Sequence, residues 1–271
     1  MKQVSVIIPT YNRKELLARA MKSVLEQSYP VTELIIVDDG STDGTGEMVR
    51  AWEDTRIRYV YTQLNRGAAA ARNAGIAQVS KEMEFVAFQD SDDLWLPGKL
   101  EKQIQAFASH PDAGFCYHKF GYRMSDGHLE IIPDESVPIE KKSGDIYAQL
   151  LYENMVGTPT LIVKKDALDQ TGGFDESLKA WEDYDLILRL AKNEKAIFVD
   201  EVLVEATLSS GGVSDSAGNY MMACCTVLRK YRDDLLATGM FNHRLETILN
   251  DAERLGMKDQ IVALLEKLLQ T

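Results

Sequence analysis

The chain has little of three things, and each scarcity removes a class of function. Cysteine is the first: Cys116, Cys224 and Cys225 are the whole complement among 271 residues. An odd number with two adjacent suggests neither a disulfide framework nor a C-x-x-C metal site, and fits a reducing compartment. Positive charge is the second. Thirty Lys and Arg face 42 Asp and Glu, for a net charge of -12 and a pI near 4.9. A non-specific grip on nucleic acid or anionic lipid is disfavoured, although a local basic pocket stays open. The third is long apolar runs. None approaches the ~18 residues that a membrane span needs, and the N-terminus shows no basic region leading into an apolar stretch. The expectation is a soluble, cytoplasmic protein with no nucleic-acid partner and at most peripheral membrane association.

What is present is a core. Hydrophobic residues make up 45% of the chain, ample for one large core or one core with a small appendage, and there is no internal repeat or low-complexity segment. Val4 to Pro9 (VSVIIP) is the short apolar run of a parallel strand buried on both faces. Lys14 to Gln27 carries apolar residues at helical spacing (Leu17, Ala20, Met21, Val24, Leu25), and Pro30 ends it. Leu34 to Val37 reads as a second strand running into Asp38, Asp39 and Gly40, followed by a helix through Trp52. Ile57 to Thr62 is a third strand, and Gly67 to Val79 an Ala-rich helix. Phe85 to Phe88 is a fourth strand, ending at Asp90, Ser91, Asp92 and Asp93. Strand and helix alternating with short connections predict an open, mostly parallel α/β sheet with helices on both faces, whose ligands gather at the strands' carboxyl ends. Tyr11, Asp38, Asp39 and the Asp90 to Asp93 cluster all lie at such ends.

Further along, Lys99 to Ala108 reads as a helix and Gly114 to Phe120 as a strand. The polar excursion Tyr122 to Lys142 suggests a hairpin or loop, with turn signals at Asp126-Gly127 and Pro133. Ile146 to Tyr152 suggests a helix, Thr160 to Val163 a strand, Trp181 to Ala191 a helix with Glu182, Asp183 and Asp185 at its start, and Ile197 to Val204 a last strand. From Ala217 the chain reads as helical without chemical clustering. The expected division is a catalytic domain over 1–216 and a helical extension over 217–271.

Two chemical readings of the acidic cluster stay open on the residues alone. Three carboxylates crowded at a strand end repel unless a cation sits among them, which suits a hard divalent metal carrying a phosphate; a solvated acidic turn has the same composition. Tyr11 offers a face for a base to stack on or is a rim aromatic, and Asp38 and Asp39 are hydrogen-bond acceptors or turn caps. Gly67 opens a helix that favours anions, with Arg66 and Arg72 nearby, or the Ala68 to Ala71 run simply lets that helix pack closely. A phosphatase D-x-D-G-T reading fails because Ser41 stands where its nucleophilic Asp is required. An EF-hand begun at Asp39 fails because Arg50 occupies its twelfth position.

Six segments in order, VSVIIPTYNR, VDDGSTDGT, NRGAAAARNAG, FQDSDD, GGFDESL and WEDYDL, resemble those of family 2 glycosyltransferases of the GT-A fold, over Val4 to Ser214. The resemblance implies an inverting transfer of a sugar from a nucleotide-diphosphate donor, a UDP-sugar by preference, to the hydroxyl of a glycan or lipid-linked acceptor, with Mn2+ or Mg2+ on the diphosphate. It implies a place in bacterial surface polysaccharide synthesis. It puts Pro9, Tyr11, Asp39, Arg72, Asp90 and Ser91 around the nucleotide, with Tyr11 stacking on the base, Asp39 accepting from it, and Arg72 on phosphate. Asp92 is the implied metal ligand, and Asp90 binds ribose or a metal-bound water. An inverting attack needs a base on the face opposite the leaving group, and the resemblance assigns it to Asp183, with Trp181 and Glu182 lining the acceptor side. Thr207 to Ser214 lacks the Arg and His that many relatives carry there, so water and diphosphate are expected to complete the metal's shell. Two other classes compete: a catalytically silent nucleotide-sugar-binding protein, and a sugar-phosphate nucleotidyltransferase. The second normally shows a Gly-rich loop after the first strand, and Pro9 to Arg13 has no glycine.

Overall fold

The computed structural model describes residues 1–123, 129–206 and 216–269. Every residue of β1 (Val4–Thr10), β2 (Glu33–Asp38) and β4 (Phe85–Phe88) is buried. Side chains alternate across a strand, so runs this apolar need a covered face on each side. On one face Val4, Val6 and Ile8 meet α1 (Lys14–Leu25), α2 (Thr45–Arg50) and α4 (Lys99–Ser109), through Leu17, Met21, Val49, Leu100 and Ile104. On the other, Ile7, Ile35 and Val37 meet α3 (Ala68–Ile76). That face continues under α5 (Tyr147–Tyr152), α6 (Lys165–Thr171) and α7 (Glu182–Ala191).

The four strands of the first half are parallel, in the order β3 (Ile57–Tyr61), β2, β1, β4. Winding reverses at β1, because β2 and β3 lie to one side of it and β4 to the other. Such a reversal opens a crevice at the carboxyl ends. Thr10, Asp38 and Tyr61 are register neighbours there. Beyond β4 the sheet is mixed. β8 (Ile162–Lys164) is antiparallel to both β4 and β6 (Ala113–Arg123), β6 runs parallel to β9 (Lys195–Ala206), and β5 (Leu94–Trp95) edges β9. The hairpin expected within Tyr122 to Lys142 is formed by β6 and β7 (Leu129–Ile132); its turn at Asp126-Gly127 lies outside the described residues.

The Ala-rich helix packs as its composition predicts. A Cβ at Gly75 would stand 2.5 Å from Ile7 Cγ2 and 3.1 Å from Val37 Cγ2, so α3 rides on β1 and β2 at a distance only glycine permits there. Overpacking of this kind costs about 1–3 kcal/mol.

The C-terminal residues fold as α8 (Ala217–Lys230), α9 (Arg232–Ala237), α10 (Phe241–Arg254) and α11 (Lys258–Leu269). Their buried Met221, Cys225, Leu228, Ile248 and Leu265 join the apolar cluster that covers the α3 and α7 face. Asp185 locks this junction. By sequence it is one more acid in a helix's first turn, yet it is fully buried. It accepts from Arg189 Nε at 2.9 Å and from Tyr231 Oη at 2.9 Å, and pairs with Lys230 Nζ at 2.7 Å. Two of those three partners come from residues some 45 positions later, beyond the reach of local pattern.

Candidate active site

The crevice at the carboxyl ends is built from turns that hold one another. After β1, Asn12 adopts a left-handed backbone with φ 51°. Its N–H donates to Ser41 Oγ at 2.8 Å, its Oδ1 accepts from the Thr42 N–H at 2.8 Å, and the Lys14 N–H donates to Asp43 at 3.0 Å. The turns after β1 and β2 are thereby zipped together. Tyr11, presented by the first turn, is 44% exposed, and Tyr61 and Leu64 also show open surface at this end. Pro9 is buried within β1 beside Val37, just short of the mouth.

Asp38 and Asp39 divide their work. Asp38 turns inward and accepts from the Ser41 N–H at 2.8 Å and Tyr59 Oη at 2.6 Å. Asp39 accepts from the Thr62 hydroxyl at 2.6 Å and from the N–H groups of Arg66 and Gly67, both at 2.8 Å. Asp39 thereby fastens the turn after β2 to the residues that lead into α3. A carboxylate has about four acceptor positions, so these three bonds leave one of them open.

The Asp90 to Asp93 turn follows β4. Ser91 and Asp93 are buried, and the Asp93 carbonyl accepts from Gln89 Nε2 at 2.7 Å. Asp90 Oδ1 meets Arg72 Nη2 at 2.7 Å, and Asp92 Oδ2 meets Arg13 Nη1 at 2.7 Å. Arg72 is itself buried, and its other terminal nitrogen lies 2.7 Å from Glu182 Oε1. Its guanidinium therefore ties the turn after β4 to the first turn of α7. Burial works against its charge, but Asp90 and Glu182 more than offset this and hold its pKa above the ordinary arginine value. Nε of Arg72 is buried with no hydrogen-bond partner.

The fit to a divalent cation rests on the chemistry of this turn. Its donors are hard carboxylate oxygens with arginine charge already arranged against them. Among the described residues, no group of three or more His, Cys, Asp or Glu side chains is disposed to hold a metal. One or two carboxylates completed by phosphate oxygens and water make a normal magnesium-type site, and Asp90 and Asp92 fit that pattern.

Asp183 follows Glu182 in the first turn of α7 and lies within the field of Arg72. Its Oδ2 accepts from the Thr158 hydroxyl at 2.8 Å and its Oδ1 from the Tyr184 N–H at 2.7 Å, and the residue as a whole is half-buried. Burial first, then the neighbouring charge of Glu182, push its pKa up to about 6, against the pull of Arg72 and the two hydrogen bonds. Carboxylates poised near neutrality suit proton abstraction. Trp181 reaches α7 through a left-handed backbone, φ 59°, and its ring packs edge-on against Tyr184 and Tyr220. It therefore leans on the C-terminal helices, while Glu182 turns to Arg72.

Sequence reasoning passed over four residues here: Arg13, Tyr122, Thr158 and Tyr61. Arg13 was within reach, as the last letter of TYNR. The Tyr122 hydroxyl feels Asp93, Asp183 and Asp90 together, which with burial raises its pKa. Thr158 carries no motif. Thr207 to Ser214, where the Arg and His of relatives would stand, lies outside the described residues.

Comparison with known proteins gives the family of the chain. The Glycosyl transferase family 2 model matches residues 5–168. The chain is 33% identical over 221 residues to the putative teichuronic acid biosynthesis glycosyltransferase TuaG of Bacillus subtilis, covering 79% of this chain and 82% of that protein. It is 30% identical over 238 residues to the UDP-Glc:alpha-D-GlcNAc-diphosphoundecaprenol beta-1,3-glucosyltransferase WfgD of Escherichia coli, covering 86% and 88%. Among solved structures, S. aureus TarS 1-349 in complex with UDP-GlcNAc superposes with a TM-score of 0.70 at 23% identity, over 92% of this chain and 72% of that one.

Proposed function

The chain belongs to glycosyl transferase family 2 and has its GT-A fold, and from that premise we propose that it is an inverting, metal-dependent transferase. It moves a sugar from a UDP-sugar to a hydroxyl of a glycan or lipid-linked acceptor in the synthesis of a bacterial surface polysaccharide, working in the cytoplasm. TuaG and WfgD support the pathway and acceptor class by their names. The observation that carries the reading is the double ion pair of Arg72, which ties Asp90 in the turn after β4 to Glu182, the neighbour of Asp183.

On the donor side, Tyr11 stacks on the uracil and Asp39 accepts from its ring N–H at the lone-pair position left open. Pro9 and Ser91 shape the crevice, and Asp90 takes the ribose. Asp92 would hold Mn2+ or Mg2+, which would neutralise charge on the leaving diphosphate. Arg72, tied to Asp90, adds fixed positive charge at the same place. On the acceptor side, Asp183 removes the proton of the attacking hydroxyl as the bond to the anomeric carbon forms, and Glu182 and Trp181 line the approach. Attack from the face opposite the diphosphate inverts the anomeric centre. The catalytic unit spans 1–216, with 217–271 as its helical extension.

A thermal-shift series tests the donor reading. UDP with manganese should stabilise the fold more than GDP or ADP does; at a hundred times its dissociation constant the gain over the unliganded protein is about 2.7 kcal/mol, a rise of a few degrees. Equal responses to purine nucleotides would overturn the uracil assignment. NMR of the product linkage tests the mechanism, since retention of configuration is incompatible with a single displacement.

A further inference from the structure

Directly behind the site lies a set of buried polar side chains that the proposed chemistry does not use. Trp95, Lys99 and Gln103 recur at intervals of four along the segment that follows the Asp90 to Asp93 turn. Trp95 is 3% exposed and the other two fully buried. A buried ammonium is costly, and burial pulls Lys99 down to about 7. Yet Lys99 is held in place: its Nζ lies 3.8 Å from the centre of the Trp95 ring and donates to Gln103 Oε1 at 2.8 Å. That bond fixes the amide's orientation, leaving Gln103 Nε2 to donate to the Thr160 carbonyl at 2.8 Å. Trp95 Nε1 donates to the Pro159 carbonyl at 3.1 Å. Both donors grip the single 3-10 turn Thr158–Thr160. On that turn, Thr158 is 3% exposed and its hydroxyl donates to Asp183.

We propose that Thr158 is a positioning residue for Asp183, orienting its carboxylate through the Oγ–Oδ2 hydrogen bond, and that Trp95, Lys99 and Gln103 brace the turn that presents it. This rests on the reading of Asp183 as the base. The geometry gives the brace a purpose: one continuous segment, Asp90 to Gln103, carries the donor-side carboxylates at its start and supports the base at its end. The Thr158 hydroxyl holds one carboxylate oxygen and the Tyr184 N–H holds the other, so the turn and the helix together fix the plane of the carboxylate. The remaining charged and titratable groups facing Asp183 are Glu182 on α7, Arg72 on α3 and the Tyr122 hydroxyl on β6. None of them comes from the 158–160 turn, so a change at Thr158 leaves their charges in place.

The test is a carbon-13 NMR titration of the full chain labelled at the aspartate carboxyl carbons, with Asp183 assigned by its loss in Asp183→Asn. It needs neither donor nor acceptor, so it stands apart from any failure of the transferase reading. Thr158→Val keeps the volume and removes the donor, and the Asp183 midpoint should rise by roughly half to one pH unit. Thr158→Ser restores the hydroxyl and should return the midpoint to the wild-type value. Gln103→Met, acting through the turn, should shift it in the same direction by less. Should the Val variant fail to fold, Thr158→Ala takes the same titration. A midpoint unmoved in the Val or Ala variant overturns the proposal, and so does a Ser variant that shifts as far as Val.

Discussion

The carboxylates of the proposed donor and acceptor sides are held in opposite ways. On the donor side Asp39 accepts from three protein donors, Asp90 is paired with Arg72 and Asp92 with Arg13. On the acceptor side Asp183 accepts from one hydroxyl and one N–H of its own helix, next to Glu182, and its pKa rises. On the proposed reading, the first arrangement holds carboxylates that a divalent cation carrying a diphosphate would meet. The second makes negative charge expensive until a proton is taken up, which is what a base requires. Asp185, two residues along the same helix, shows that sequence proximity does not set this difference: it is fully buried yet surrounded by Arg189, Lys230 and Tyr231, and serves as a clamp.

The largest effect should come from removing the base. Asp183→Asn preserves shape and should lower turnover by roughly 10²- to 10⁴-fold, equivalent to about 3 to 5 kcal/mol of barrier. Donor affinity, measured by calorimetry with UDP and manganese, should hardly change. An Asn variant with near-native turnover would erase the contrast between the two sides.

Next is the clamp. Asp185→Ala leaves two cations and a tyrosine hydroxyl facing a hole, and should destabilise the fold by about 3 kcal/mol, a melting shift of roughly 6–12 °C. A change of a degree or less would show that the C-terminal helices do not depend on this junction.

The comparison is sharpened by Asp92→Ala. Metal-dependent stabilisation by UDP should disappear, while the unliganded protein changes by less than about 1 kcal/mol, because relief of crowding among Asp90, Asp92 and Asp93 is set against loss of the partly exposed pair with Arg13. Near-native affinity for manganese and UDP in this variant would pass the metal role to Asp90 or Asp93.

Much of the parallel half was legible, because Val4 to Pro9, Leu34 to Val37 and Phe85 to Phe88 are apolar at every face and their exits are polar. The mixed half was less so. The two-residue β5 and the short α6 carry no periodicity long enough to read, and β8 finds its partners only in three dimensions. In the site, residue types announced candidates but not engagements. That Asp39 holds the segment leading into α3 depends on donors 23 to 28 positions later, and that Arg72 joins Asp90 to Glu182 spans 110. Thr158 was invisible because a single threonine in a short turn has no pattern.

The central claim, that the acceptor side holds a carboxylate near neutrality while the donor side holds its own in balanced pairs, is tested most directly by the pH dependence of kcat/KM for the donor, measured with UDP-GlcNAc and UDP-glucose. The folded pKa of about 6 lies above the ordinary aspartate value, so the base is ionised at pH 7 to 8 and is lost as pH falls through 6. The account predicts an acid limb bending near pH 6 and falling about tenfold per unit below it, absent from the residual activity of Asp183→Asn. A limb near pH 4, or one that persists unchanged in the Asn variant, would contradict it.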